Sequence, residues 1–151
     1  MPEIERKFTV EDIPDGLLGR GSAIGQGYLS VELVEVRIRS RDEAHELTVK
    51  SLGGLRRAEI NLPLTTEQFQ ELWPFVGAAV EKTRHLVDHD GRLIEVDTYS
   101  GRLAGLIVAE VEFPSEEEAA EFSPPDWFGR EVTGDSRFRN AALARAEGPP
   151  A

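Results

Sequence analysis

Charged residues recur at every second position through most of this chain, and that spacing limits what it can fold into. The opening "MPEIERKF" sets Glu3, Glu5 and Lys7 at alternate positions with Ile4 and Phe8 between them, and only Arg6 falls out of phase. Period two is the signature of a β-strand with two unlike faces. Arg37 and Arg39 alternate with Val36 and Ile38, and Glu46, Thr48 and Lys50 alternate with Leu47 and Val49. Arg57 and Glu59 flank Ala58, Lys82 and Arg84 flank Thr83, Glu95 and Asp97 flank Val96, and Glu110 and Glu112 flank Val111. Seven of eight expected strands therefore carry ionised residues on a single face.

The remaining elements follow from the same reading. "TVEDIPDGLLGRGSA" reads as a loop with one short helical turn. Strands are expected at Ile24 to Leu29, Glu32 to Ser40 and His45 to Lys50, then in "LRRAEINLPL", which Pro63 stops. Thr65 and Gln68 stand at capping-box spacing and start a helix with Phe69, Leu72 and Trp73 as its apolar stripe. "EKTRHLV" and "RLIEVDTY" are strands joined by a turn at Asp90-Gly91, and Gly105 to Phe113 is the last strand. Ser115 caps a short helix in "SEEEAAEF", and a terminal helix is expected from about Asp135 to about Ala146. The result is a single mainly β domain over residues 1–151, with 147–151 a loose tail. Consecutive antiparallel strands in this number make a closed barrel or a sandwich.

Composition narrows the function. The absence of cysteine excludes disulfides, thiolate metal sites and cysteine nucleophiles. No apolar run is long enough to span a membrane and no secretory leader precedes the first strand, so the chain reads as soluble and cytoplasmic. A net charge of −11 argues against general nucleic-acid binding. Oligomeric state is left open, a homodimer included. Alternation alone favours a solvated outer face for the charges. Two features favour an inner face: the charged positions hold almost no Ser, Gln or Asn, and the helices need an apolar partner, which Ile4, Phe8, Val36, Ile38, Leu47, Val49, Ile94, Val96, Ile107 and Val111 would supply from outside. An ionised lumen cannot be dry, because an unpaired buried ion costs several kcal/mol. A wet lumen holding metal ions and a polyanion satisfies it.

"EIERK" matches the Glu-x-Glu-x-Lys motif of the CYTH family, the triphosphate tunnel metalloenzymes. The resemblance runs through "QGYL", "EVRIR", "ELTVK", "KTRHLV", "EVDTYSGRLAGLIVAEVEF" and "GREVTGDSRFRNAALA", nearly the whole chain. It implies a closed eight-stranded antiparallel β-barrel forming a tunnel, with short helices packed outside. It also implies a triphosphate substrate and one or two divalent cations, Mg2+ or Mn2+. One position departs from the family: the fifth-strand pattern Arg-x-Glu-x-Glu here ends in Asn61.

On this resemblance Glu3, Glu5, Glu110 and Glu112 are the metal ligands, hard oxygen donors about 6.6 Å apart along a strand face. Lys7, Arg37, Arg39, Lys50, Arg57, Lys82 and Arg84 would cradle phosphates. Glu59 and Asp97 would align the attacking water, or else form structural salt bridges. Phosphoryl transfer needs mainly positioning and charge neutralisation, so no covalent nucleophile is required. The implied reaction is hydrolysis of inorganic tripolyphosphate to pyrophosphate and phosphate. Nucleoside or thiamine triphosphatase, class IV adenylyl cyclase and a non-catalytic polyphosphate-binding module are the alternatives. His85 and His89 lack the glutamate of HExxH, and no P-loop occurs. Tyr28 could reach the tunnel or simply pack; Trp73 and Trp127 read as packing residues, and Arg137 and Asn140 are expected to dock on or cap the tunnel.

Overall fold

The computed structural model describes residues 4–51 and 58–151. Glu3 and Arg57 lie outside the described residues. Eight strands form: β1 (Ile4–Thr9), β2 (Ser22–Ser30), β3 (Val34–Arg41), β4 (Ala44–Ser51), β5 (Glu59–Leu64), β6 (Ala78–His89), β7 (Arg92–Tyr99) and β8 (Ile107–Phe113). They make one antiparallel sheet in the order β1-β8-β7-β6-β2-β3-β4-β5. Among the described residues no ladder joins β1 to β5, so a closed barrel is met in strand number and direction but not in closure. Residues 1–3 and 52–57, which flank these two edges, are outside the description.

Register decides the faces. Opposed residues of an antiparallel ladder point the same way. Glu5 faces Glu112, Lys7 faces Glu110, Glu110 faces Glu95, Asp97 faces Arg84, Arg37 faces Thr48 and Lys50 faces Glu59. The alternating charges of separate strands thus share one side of the sheet. On the other side, Ile94, Val96, Ala109 and Val111 are fully buried. Ile13, Leu17, Leu18, Phe122, Trp127 and Phe128 pack over them. The stretch before β2 holds no helix; its apolar residues serve as this cover. Arg6, the charge out of phase, lies on the covered side, where it pairs with Glu131 at 2.7 Å and donates to the Ala119 and Phe122 carbonyls.

Helix α1 (Thr66–Leu72) has the expected capping box, Thr65 and Gln68 bonding each other's backbone. Its Phe69 stacks between His45 and Trp73 on the outer side of β4. Gly27 permits the close approach that follows, since a Cβ there would stand 2.6 Å from Val76. Helix α2 (Glu116–Glu121) is capped by Ser115 and lies against β1 and β8.

The C-terminal segment departs from expectation twice. It is a 3-10 turn at Ser136–Phe138 and a single helical turn, α3 (Asn140–Leu143), separated by an extended Arg139 with ψ 141°. It also packs on the inner side of the sheet, not outside. Tyr28, Val80, Tyr99 and Val108 make one end of the inner face apolar, and Phe138, Leu143 and Ala144 bury themselves against it. The break at Arg139 lets Phe138 enter this cluster while Asn140 meets Tyr99. Burying Phe138 and Leu143 is worth about 1.5–3 kcal/mol each.

Candidate active site

A cavity of about 550 Å³ opens on the charged side, and all eight strands contribute to its wall. Its charges are largely sorted by strand, with Lys7 of β1, Glu35 of β3 and Glu59 of β5 as the exceptions. Glu5, Glu112, Glu110 and Glu95 come from the consecutive strands β1, β8 and β7. Arg84, Arg37, Arg39 and Lys50 come from β6, β3 and β4, and Arg139 enters from the C-terminal segment. The ladder order therefore builds an acidic side that passes into a basic one.

On the acidic side Glu110 faces both Lys7 and Glu95, and the Lys7 ammonium lies 3.2 Å from Glu110. Lys7 also donates to the Phe138 carbonyl at 3.2 Å, tying the C-terminal segment to this wall. Burial pushes the Glu95 carboxyl up, and the charges of Glu110, Asp97 and Glu112 push it further against the opposing pull of Arg84. The Glu95 carboxyl thus feels the negative charge of its neighbours on the adjacent strands.

Asp97 and Lys82 lie beneath the cavity wall. Their side chains are 2% and 0% exposed and meet at 2.8 Å. Burial alone would raise the Asp97 carboxyl, but hydrogen bonds from Arg84 and the charge of Lys82 outweigh it and hold it below the usual range. Arg84 bridges the layers, gripping Asp97 at 2.8 and 2.9 Å and pairing with Glu95.

On the basic side Arg37 Nε is buried and has no hydrogen-bond partner among the described residues. Burial pushes the Arg39 guanidinium down, and Arg37 and Arg84 nearby add to it. Arg39 Nε donates to Gln26 at 2.6 Å. Lys50 lies 3.9 Å from Glu59, which remains half-exposed. Asn61 accepts from Thr48 at 2.6 Å, a neutral pair where the family pattern has an acid.

Of the expected site residues, Glu5, Lys7, Arg37, Arg39, Lys50, Glu59, Arg84, Glu110 and Glu112 line this one cavity. Arg137 does not join them: it binds Asp135 at 2.7 Å on the surface. Asn140 does, accepting from Tyr99 at 2.7 Å and from Lys82 at 3.5 Å. The charge pattern passes over Gln26 and Tyr99, both on the inner side. Their signal is phase: Gln26 points inward once Gly25 and Gly27 take the outer side of β2, and Tyr99 has the parity of Glu95 and Asp97 along β7. No helix among the described residues is long and apolar enough to cross a membrane.

A curated Nitrosomonas europaea protein named inorganic triphosphatase is 46% identical over 148 residues, covering 95% of this chain and 97% of that protein. The chain belongs to the inorganic triphosphatase family. A second inorganic triphosphatase, from Acetivibrio thermocellus, is 35% identical over 147 residues, 95% of this chain and 93% of that one. A solved crystal structure of an inorganic triphosphatase matches this family member with a TM-score of 0.81 at 41% identity, over 97% of this chain and 96% of that one. No family model matches the chain. Membership of the inorganic triphosphatases agrees with the CYTH resemblance carried by "EIERK".

Proposed function

We propose that this chain hydrolyses inorganic tripolyphosphate to pyrophosphate and phosphate in the charged cavity, with a divalent cation held on its acidic side. The observation that carries the reading is Arg37: a buried guanidinium Nε with no hydrogen-bond partner among the described residues, in the wall of a cavity whose opposite side is carboxylate. A buried charged donor without an acceptor is costly, and a phosphate oxygen is the acceptor that removes the cost. Membership of the inorganic triphosphatases supports the substrate.

The side chains divide the work. Arg37, Arg39, Lys50 and Arg84 bind phosphoryl oxygens, and Lys7 at the acid–base border joins them. Arg57, outside the described residues, is proposed as a phosphate ligand on the family resemblance alone. The mutual repulsion of Arg37, Arg39 and Arg84 is relieved when an anion enters. Lys82 and Asp97 act from beneath by holding Arg84. Glu59 is the candidate to orient the attacking water. The water oxygen bonds to the terminal phosphorus as the water gives up a proton to solvent, the bridging P–O bond breaks, and pyrophosphate leaves with the bridging oxygen. That β1 and β5 line one cavity supports closure of the sheet into a tunnel.

The donor chemistry fits a hard cation. Glu5, Glu110, Glu112 and Glu95 offer oxygen ligands on adjacent strands, with Glu3 in phase before them. Among the described residues they do not form a ready-made cage of three. Magnesium or manganese suits such a site, because it takes one or two carboxylates and completes its shell with water and phosphate oxygens. The bound cation would supply charge neutralisation and polarise a phosphoryl oxygen.

The test sets tripolyphosphate, ATP and thiamine triphosphate side by side with Mg2+ or Mn2+ and scores phosphate, pyrophosphate and cyclic AMP. Fastest release of phosphate and pyrophosphate from tripolyphosphate is expected. Cyclic AMP from ATP, or no turnover of tripolyphosphate, overturns the assignment.

A further inference from the structure

The turn between β7 and β8 lies outside the cavity, yet it grips the segment that forms the cavity's end. Ser100 donates through its backbone to the Glu81 carbonyl at 3.0 Å, and Leu103 is buried in the same apolar cluster as Leu143. Gly101, at φ 65°, turns the chain between these two anchors. Arg102 therefore stands on a fixed base. Its Nε donates to the Ala146 carbonyl at 3.0 Å. Its Nη2 is shared among the carbonyls of Ala144 at 2.9 Å, Leu143 at 3.1 Å and Ala79 at 3.4 Å. Ala79 belongs to β6, and the other three residues end the C-terminal segment.

One guanidinium thus joins the sheet to the end of α3. Four residues are too few to hold a helix by themselves. The carbonyls at a helix end also lack amides one turn further on, and an arginine that donates to them supplies what is missing. The other end of the same segment faces the cavity. Lys7 donates to the Phe138 carbonyl, Asn140 accepts from Tyr99 and Lys82, and Arg139 between them lines the cavity with Arg37, Arg39, Lys50 and Arg84. The Arg139 side chain makes no hydrogen bond or ion pair among the described residues, so its backbone alone places its guanidinium.

We infer that Arg102, which does not line the cavity, is a positioning residue for the reaction: it clasps the C-terminal segment to the sheet and so holds the Arg139 guanidinium against a phosphate oxygen of the bound triphosphate. The inference rests on the triphosphatase reading above. Arg139 escapes the alternating charge pattern because it stands between two turns and not on a strand. Arg139→Gln removes the contact itself, and Arg102→Met removes only its placement.

Arg102→Met keeps the aliphatic stem and removes the clasp, while Arg102→Lys keeps a charge that reaches fewer carbonyls. Steady-state kinetics well below the melt should show KM for tripolyphosphate raised about 10-fold in Arg139→Gln and about 3- to 10-fold in Arg102→Met, as for losing all or part of a charged hydrogen bond. Arg102→Lys should fall between Arg102→Met and the wild type. kcat should hold within about twofold, the mark of uniform binding loss. Arg102→Met combined with Arg139→Gln should fall short of the product of the two effects, because both act on one contact. Amide exchange over residues 139–146 should slow when tripolyphosphate binds the wild type, and slow less in Arg102→Met. An Arg102 that only stabilises the fold would lower the melting temperature and leave KM at the wild-type value. That result, or full additivity with Arg139→Gln, overturns the inference. If Arg102→Met does not fold, Arg102→Lys with and without Arg139→Gln decides by the same comparison. Turnover of tripolyphosphate by the wild type with both single variants unimpaired overturns the clasp alone. A wild type that neither binds nor cleaves tripolyphosphate overturns the triphosphatase reading and this inference with it.

Discussion

Arg84 holds both carboxylate oxygens of Asp97, Nε on Oδ1 at 2.8 Å and Nη2 on Oδ2 at 2.9 Å, and Lys82 approaches Oδ2 at 2.8 Å. With its oxygens engaged below the cavity wall, Asp97 holds Arg84 in place. Asp97→Asn should strand two buried cations. We expect a loss of about 3–5 kcal/mol in urea unfolding, the range for breaking a buried pair, with activity falling as Arg84 loosens. A variant as stable as the wild type would show that the pair contributes little.

Removing Arg37, whose buried Nε has no hydrogen-bond partner among the described residues, should behave differently. Arg37→Ala should leave the melting temperature unchanged or slightly higher, because a buried Nε without an acceptor is lost. KM for tripolyphosphate should rise by about 10-fold or more, since a charged hydrogen bond is worth about 1.5–3 kcal/mol. Arg39→Ala should likewise impair binding in a folded protein. Unchanged kinetics in either variant would place the phosphates elsewhere.

Glu95 and Asp97, two residues apart, should give opposite pH dependence. The Glu95 carboxyl is raised, so the folded state holds its proton more tightly than the unfolded chain. Its contribution is full below the unfolded value of about 4.3 and is lost as pH rises through the raised folded value. The Asp97 carboxyl is lowered, so its contribution is present above about 3.9 and is lost as pH falls through the depressed value. Melts of Glu95→Gln against wild type should therefore favour the variant increasingly from mildly acidic to neutral pH. Melts of Asp97→Asn should show its disadvantage shrinking in strong acid. A pH-independent difference in either case would remove the electrostatic account.

A cation held by the acidic side should be visible without turnover. Mg2+ or Mn2+ should raise the wild-type melting temperature, by mass action about 2.7 kcal/mol at about 100 times the dissociation constant. Glu5→Gln should lose most of that rise. If it keeps the full shift, the carboxylates opposite each other on β1 and β8 are not ligands.

The sequence by itself determined the strands, because side chains of period two sort into two faces wherever the backbone is extended. It determined the caps at Thr65 and Ser115, which depend on a few adjacent residues. It also supplied the charged residues that now share one cavity, since each strand carries its own parity. Tertiary structure decided what depends on which strand lies beside which. Only the order β1-β8-β7-β6 and the register of its ladders gather Glu5, Glu112, Glu110 and Glu95 on one side. Asp97 reads like Glu95 along β7, yet it is buried against Lys82 and Arg84 while Glu95 lines the cavity, a difference of depth that alternation does not encode. The C-terminal segment reads in sequence as one terminal helix from about Asp135 to about Ala146. It folds instead as two short turns around an extended Arg139, because Phe138 has an apolar inner face to fill and Asn140 has Tyr99 and Lys82 to meet. Local pattern fixes which way a side chain points from its strand. What it meets there is set by partners distant in the chain, and their positions exist only in the folded sheet.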